Sequence, residues 1–499
     1  MTLTIYNSIR GEKEVFQPLT EGRVGMYVCG PTVYSDVHIG NCRTFVSFDV
    51  IYRYLMHLGY QVRYVRNITD VGHLEGDLDS NAEDKISKKA RLEQLEPMEI
   101  VQKYTNGFHD IMRLLNNLEP SIEPRATGHI LEQIEMVQAI LDRGFAYEVN
   151  GSVYFDTHKL LQETDVYGKL SGRKVEDLMV ETRELKNQGE KRHPHDFAIW
   201  IKADHRHLLR WNAPWSVGFP GWHLECSVMS QRYLGETFDI HGGGNDLKFP
   251  HHENEIAQSY GACGHGPARY WIHSNMLLLN GKKMAKSDGN HITPGQLFTG
   301  DSEHISKAYS PMVVRFFFLQ AHYASTLDLN DQSLAAAEKG YRRLMEARRT
   351  LQSLSSTTPV SDHPLGAEIE NGIKAAFEEM NDDFNAPKAL ARLFELCPLI
   401  NKLADGQLSV DDAGQQALDT ARRGFDDLLF GVLGLRDEAA GGSDHMDELE
   451  GLMQLILEIR KQARENKDWA TSDKIRDTLA VVGIELKDGK DGTTWSLKS

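Results

Sequence analysis

Cysteine is scarce in this chain, with five residues in 499, at positions 29, 42, 226, 263 and 397. An odd, scattered set excludes a disulfide framework and fits a reducing compartment, so a cytoplasmic location is expected. Long apolar runs are missing too. No stretch approaches the ~20 residues that a membrane helix needs. The opening residues, Met1 to Asn7, lack the charged-then-apolar pattern of a secretory signal, and no membrane partner is expected. Positive charge is in short supply: 55 Lys and Arg face 72 Asp and Glu, for a net charge of −17. That excludes a protein that coats nucleic acid through bulk charge, so any nucleic-acid contact must be a local surface. Internal repeats and long low-complexity tracts are absent as well. What is left is a globular composition, 40% apolar and 25% charged, with length enough for two to four domains.

The clearest pattern lies between residues 24 and 70. Val24 to Val28 reads as an apolar strand, Thr44 to Leu58 as a helix and Val62 to Asp70 as a second strand, the spacing of a βαβ unit. Ligands of such sheets bind beyond the carboxyl ends of the strands. There sits His38-Ile39-Gly40-Asn41, on a strand-to-helix turn where backbone N–H groups and the helix dipole favour a phosphate. Downstream, Phe238 to His241 reads as a strand running into Gly242-Gly243-Gly244-Asn245-Asp246. Small residues at such a turn let backbone approach a nucleotide closely, and Asp246 is a candidate for ribose hydroxyls. Lys283-Met284-Ala285-Lys286-Ser287 lies in a Gly/Lys/Ser-rich loop after the apolar strand Met276 to Leu279. A loop of this kind can close on a polyphosphate and stabilise charge that develops in a transition state. Taken alone, a lysine pair in a loop is most often just solvated.

Four residues have metal-ligand chemistry. Cys29 ends the first strand, and Cys226 closes Pro220-Gly221-Trp222-His223-Leu224-Glu225-Cys226. His251 and Glu255 are i and i+4, so they share a helix face and can chelate one ion. A lone cysteine is usually a small core residue, the reading kept for Cys42, Cys263 and Cys397. Four ligands of suitable type at strand ends and helix starts point instead to a metal. The His-Glu-x-x-His pattern of a zinc protease is absent, because His252-Glu253 is followed by Asn254, Glu255 and Ile256. A purely structural zinc stays open.

In this order, the His38 turn and the Lys283 to Ser287 loop resemble the two signatures of class I aminoacyl-tRNA synthetases. With Cys29, Cys226, His251 and Glu255 added, the chain is similar to the cysteinyl-tRNA synthetases, from Tyr27 to the tail Gly492-Thr493-Thr494-Trp495. The resemblance implies an α/β fold: a Rossmann-like nucleotide-binding catalytic domain in two halves (1–114 and 216–300) around a connective insertion (115–215). A stem-contact-like segment (301–330), a helical bundle (331–437), a linker (438–447) and a small C-terminal α+β, anticodon-binding domain (448–499) would follow. It implies an enzyme that joins L-cysteine to tRNA(Cys) with ATP. One Zn2+ per chain, held by Cys29, Cys226, His251 and Glu255, would bind the substrate thiolate, and Mg2+ would arrive with ATP. His38, Asn41, Lys283, Lys286, Ser287, Gly243 and Asp246 would serve ATP. Thr69 would reach the amino end of cysteine. Trp222 would close the pocket, a core aromatic being its other reading. The chain departs from the class pattern at Asn41, usually histidine, and at Ala285, usually serine. An amide still donates to phosphate but carries no charge.

A metal suits this substrate. A hydrophobic pocket separates cysteine from serine or alanine by only about 1–3 kcal/mol, whereas zinc prefers a soft thiolate to a hydroxyl. The C-terminal residues 448–499 carry nine Lys/Arg and ten Asp/Glu, nearly neutral in an acidic chain. Arg460, Lys461, Arg464 and Lys467 fall on one helix and Trp469 follows. Basic residues beside an aromatic suit a single-stranded tRNA loop, with Arg464 and Trp469 the candidates. The other reading is a helical hairpin with Trp469 packed inside. Within the same chemistry, a zinc-dependent ligase joining activated cysteine to a small amine is the alternative function.

Overall fold

The structure, a computed structural model, describes residues 2–71, 86, 89–90, 95–173, 190–204, 207–284, 289–466, 468–481, 484–489 and 492–497. It divides into two compact units, residues 1–436 and 437–499.

The first unit is built on a parallel sheet. Arg23–Val28 (β3), Gln61–Arg66 (β4), Phe238–Gly244 (β10) and Ala268–Ser274 (β11) lie in the order β11-β10-β3-β4. All three pairings are parallel, so each connection must cross a face of the sheet. Helix Ile39–His57 (α1) makes the β3-to-β4 crossing. It buries Phe45, Phe48, Ile51 and Leu55, which recur at helical spacing. The chain continues from β4 to residues 122–125, where Ile122 and Arg125 form parallel bridges with Val65 and Ile68. The core sheet thus extends beyond 114, the limit expected from sequence. A hairpin of Thr4–Asn7 (β1) and Glu12–Val15 (β2), unforeseen in the sequence, docks beside β11. There buried Asn7 donates to Arg269 O and accepts from Trp271 N.

The insertion is a five-stranded antiparallel sheet of Ala146–Val149 (β5), Ser152–Phe155 (β6), Phe197–Lys202 (β7), Trp211–Asn212 (β8) and Val217–Pro220 (β9), in the order β5-β6-β7-β9-β8. It ends at Pro220 rather than the expected 215, because β9 pairs with β7 from Gly218 to Pro220 and with β8. After the core sheet, Leu277–Leu279 (β12), Lys282–Lys283 (β13) and Leu327–Leu329 (β14) form a small sheet. Helices 331–353, 364–381, 386–404 and 415–426 then pack as a bundle within the expected 331–437. Gly414, with φ +77°, separates the last of these from the short helix Val410–Ala413.

The second unit holds helices Glu438–Glu465 and Trp469–Val481 and the antiparallel pair Ile484–Gly489 (β15) and Gly492–Leu497 (β16). Residues 438–447, read as a linker, are the opening turns of the first of these helices. Asp437 caps it by accepting from Ala439 N at 3.2 Å, and Gly441 and Gly442 are carried inside it.

Candidate active site

At the carboxyl ends of β3 and β10, where neighbouring connections diverge, lies a cleft of about 480 Å3. Cys29, Pro31, His38, Asn41, Asp246 and His291 are among its lining residues. Two tight backbone features shape it. A Cβ on Gly30 would fall 1.6 Å from Asn67 O, so only glycine allows the ends of β3 and β4 to approach this closely. A Cβ on Gly40 would meet the His38 ring at 3.0 Å and Met284 at 3.1 Å. His38 caps α1, its Nδ1 accepting from Gly40 N at 3.1 Å, and the helix N-terminus faces the cleft with Asn41 and Thr44. That arrangement suits an anion. Asp246 folds over Gly244 and lines the cleft, whereas Gly243 lies against His252 and Leu247 and is not among the lining residues.

The lysine loop springs from β12. Asn280 and Gly281, both with positive φ, make the tight turn into β13, and Lys283 is exposed. Lys286 and Ser287 lie outside the described residues. The other end of the loop returns to α1, where Ile39 N donates to Ile292 O at 3.2 Å.

Cys29, which lines the cleft, comes together with Cys226, His251 and Glu255, each with a ligand atom within 4.8 Å of the others. Cys29 Sγ lies 3.7 Å from Cys226 Sγ and 3.7 Å from Glu255 Oε1. His251 Nε2 lies 3.4 Å from Cys226 Sγ and 3.3 Å from Glu255 Oε1. Cys226 is on helix Leu224–Leu234, and the other two on helix His251–Cys263. Burial pushes the Cys29 thiol well above its ordinary pKa, helped by the neighbouring Cys226, and raises Cys226 to about 11. A dication changes that balance by displacing both thiol protons. Two soft sulfurs, an imidazole and a carboxylate form a donor set that fits a metal ion.

Behind these four is a layer the sequence reading missed. His241 Nε2 pairs with Glu255 Oε2 at 2.8 Å. His252 Nε2 lies 3.3 Å from Cys29 Sγ, its Nδ1 pairs with His273 Nε2 at 2.8 Å, and His273 Nδ1 pairs with Ser8 Oγ at 2.8 Å. Cys29, His241, His252 and Glu255 form a second cluster of matching size. Burial, followed by the surrounding histidines, holds His252 far below its usual pKa. His241 and His252 are fully buried, whereas His251 is half-buried, so the first cluster is the more open of the two. The signal for this layer was strand register, since Gly243 pairs with His273 across β10 and β11.

Thr69 is buried, donating to Glu225 Oε1 at 2.6 Å and accepting from Asn67 Nδ2 at 3.0 Å. Burial raises the Glu225 carboxyl to about 8. Trp222 is buried edge-on against Trp211, ring centres 6.5 Å apart. In the second unit, Trp469 is 58% exposed, which overturns the packed-inside reading. Arg464 is exposed too, but Arg460 turns inward and donates to Thr493 Oγ1, so the basic stripe is shorter than the sequence suggests.

The family described as "tRNA synthetases class I (C) catalytic domain" matches residues 15–339, and the DALR domain family matches residues 376–436. A cysteine–tRNA ligase of Bacteroides thetaiotaomicron is 52% identical over 496 residues, covering 99% of each chain. One from Deinococcus radiodurans is 49% identical, covering 99% of this chain and 96% of its own. Among solved structures, Mycobacterium tuberculosis methionyl-tRNA synthetase in complex with methionyl-adenylate superposes with a TM-score of 0.61 at 14% identity. It covers 84% of this chain and 92% of its own, a likeness of fold. Near-full-length identity on this scale, together with the matched catalytic domain, makes the chain a member of the cysteine–tRNA ligase family of class I synthetases.

Proposed function

We propose that the chain activates L-cysteine with ATP and transfers it to the terminal ribose of tRNA(Cys) in the cytoplasm. The cysteine carboxylate attacks the α-phosphate in line, pyrophosphate leaves, and a tRNA ribose hydroxyl then takes the acyl group from cysteinyl-adenylate. No protein nucleophile is required, so positioning and charge stabilisation carry the reaction. The α1 N-terminus, His38 and Asn41 hold the triphosphate with Mg2+, and Asp246 takes the ribose. The hairpin carrying Lys283, with Lys286 and Ser287, stabilises charge on the departing phosphates. Gly243 serves ATP indirectly, by seating the β10 turn on His252. Thr69, which donates to Glu225, takes the ammonium group in this reading, and Trp222 closes over the side chain.

Cys29, Cys226, His251 and Glu255 fit Zn2+. When bound, zinc supplies a soft Lewis acid for the substrate thiolate. The observation that carries the reading is this donor set, whose Cys29 lines the nucleotide cleft. Its test is ATP–pyrophosphate exchange with a panel of amino acids: cysteine should drive exchange, and serine and alanine should not. Comparable exchange with serine would sink the metal-based discrimination. Ligation to a small amine is the weaker reading, because the chain carries both the DALR region and the second unit.

Arg464 and Trp469 are proposed to meet the anticodon loop. Trp469→Ala is expected to lower tRNA charging by roughly 5- to 150-fold, the worth of one base stack at about 1–3 kcal/mol. Cysteine-dependent pyrophosphate exchange should stay normal. Charging at the parental rate would remove Trp469 from the tRNA surface.

A further inference from the structure

Arg43 lies on α1 just beyond the His38 turn and is 1% exposed. Its side chain leaves the helix and grips two other segments. Nη1 donates to Asn275 O at 3.1 Å and Met276 O at 2.8 Å. Nη2 donates to His322 O at 3.1 Å and Ser325 O at 2.5 Å. These partners are main-chain carbonyls, not carboxylates. Asn275 and Met276 join β11 to β12, directly ahead of the lysine hairpin. His322 and Ser325 precede β14, which runs parallel to β12. One guanidinium therefore holds both roots of the small sheet that carries Lys283.

Neighbouring bonds follow the same line. Ser274 Oγ donates to Thr44 Oγ1 at 2.8 Å, again between α1 and the end of β11. The Asn275 side chain braces the gripped carbonyls, donating to Ala324 O at 3.0 Å and accepting from Met276 N at 2.8 Å. For stability alone this is a costly device, because no carboxylate among the described residues pairs with the buried cation to offset its lost hydration. What the planar fork adds is geometry: parallel N–H groups fix both distance and angle, which a point charge cannot do.

We propose that Arg43 is a positioning residue for adenylate formation, setting the root of the lysine hairpin against the phosphate-binding end of α1. It is not among the cleft-lining residues, so it acts through the segments it holds. The proposal rests on the reading of Lys283 and Lys286 as transition-state groups.

Arg43→Lys in the full chain tests it. The substitution keeps the charge and loses the fork. The kcat of cysteine-dependent ATP–pyrophosphate exchange is expected to fall about 10- to 100-fold, the scale of a small misplacement in an active site. The KM for cysteine should hold. Single-turnover transfer of cysteine from preformed adenylate to tRNA should keep its rate, because the hairpin acts on departing pyrophosphate. A merely structural role lowers both steps together, and that result, or an unchanged exchange rate in the folded variant, overturns the proposal. If Arg43→Lys does not fold, Asn275→Ala loosens the same carbonyls from the other side, and the same split between steps decides. Lys283→Ala and Lys286→Ala run alongside. If neither slows exchange, the lysine reading fails and the proposal falls with it. If they slow exchange and Arg43→Lys does not, the positioning role alone is overturned.

Discussion

Cys226→Ala is expected to strip the protein of its metal and to lower cysteine-dependent pyrophosphate exchange by at least ~100-fold. That figure is a floor, since removing a group that only supports a ligand already costs about 10- to 100-fold in metal affinity or activity. Cys226 Sγ stands within 3.7 Å of Cys29 Sγ and 3.4 Å of His251 Nε2, so its loss opens one side of the cluster and leaves three ligands. The surrounding fold should survive, because Cys226 is small and its helix is held by other buried residues, Leu224, Val228 and Met229 among them. Elemental analysis and the exchange assay, run beside a circular dichroism spectrum, give the answer. A folded variant that retains its metal would show that other side chains hold the ion, and one fully active without metal would end the zinc reading.

The second large effect is expected at Gly30. In Gly30→Ala the new methyl would sit 1.6 Å from Asn67 O and 2.7 Å from Asn67 C, both main-chain atoms. No side chain can rotate away to make room, so the strand ends must separate. Gly30 N also donates to Asn67 Oδ1 at 2.8 Å, and the same asparagine supports Thr69. Next door, Val33 N donates to Thr69 O at 3.2 Å. Parting these segments therefore shifts Cys29 and Thr69 together. Overpacking of this kind costs about 1–3 kcal/mol or more in stability, and misplacing both groups should lower exchange by roughly 100-fold. Gly107→Ala is the control: it lies within helix 97–114 with nothing within 4 Å of the added carbon, and should be neutral or stabilising by up to ~1 kcal/mol. Thermal melts and exchange kinetics of the pair separate the cases, and a Gly30→Ala protein indistinguishable from the parent would refute the steric argument.

The parallel sheet and the bundle were legible because their apolar residues recur at one period over long stretches. The four residues of the proposed metal site drew notice for a different reason: each stands at a strand end or near a helix start, where a cysteine, histidine or carboxylate has no obvious packing role. The supporting histidines were not, since His241, His252 and His273 acquire their roles only once β10 and β11 are in register and the following helix lies against them. The β1–β2 hairpin was equally hidden, because strands of four residues show too little alternation and one of the two inward positions of β1 is the polar Asn7 beside Ile5. Residues 438–447 misled the reading by composition. Gly441-Gly442-Ser443 has the look of a linker, yet Asp437 starts a helix that runs through it, and the 28 residues of that helix outweigh a local weakness. The limits of the insertion were misplaced because β9 and residues 122–125 are too short to betray, by pattern alone, which sheet they join.

The insertion between the halves of the parallel sheet also sets a timetable. Cys29 and Cys226 are 197 positions apart, and β3 cannot meet β10 until the intervening chain has been made. At roughly 5–20 residues per second of synthesis, the wait lasts on the order of 10–40 s. Through that interval the nascent chain carries Cys29 without its partner ligands, on a strand whose inner edge is unpaired. Loading of the proposed zinc is therefore a late event, following closure of the sheet rather than nucleating it, and the thiol must be kept reduced until then by its surroundings.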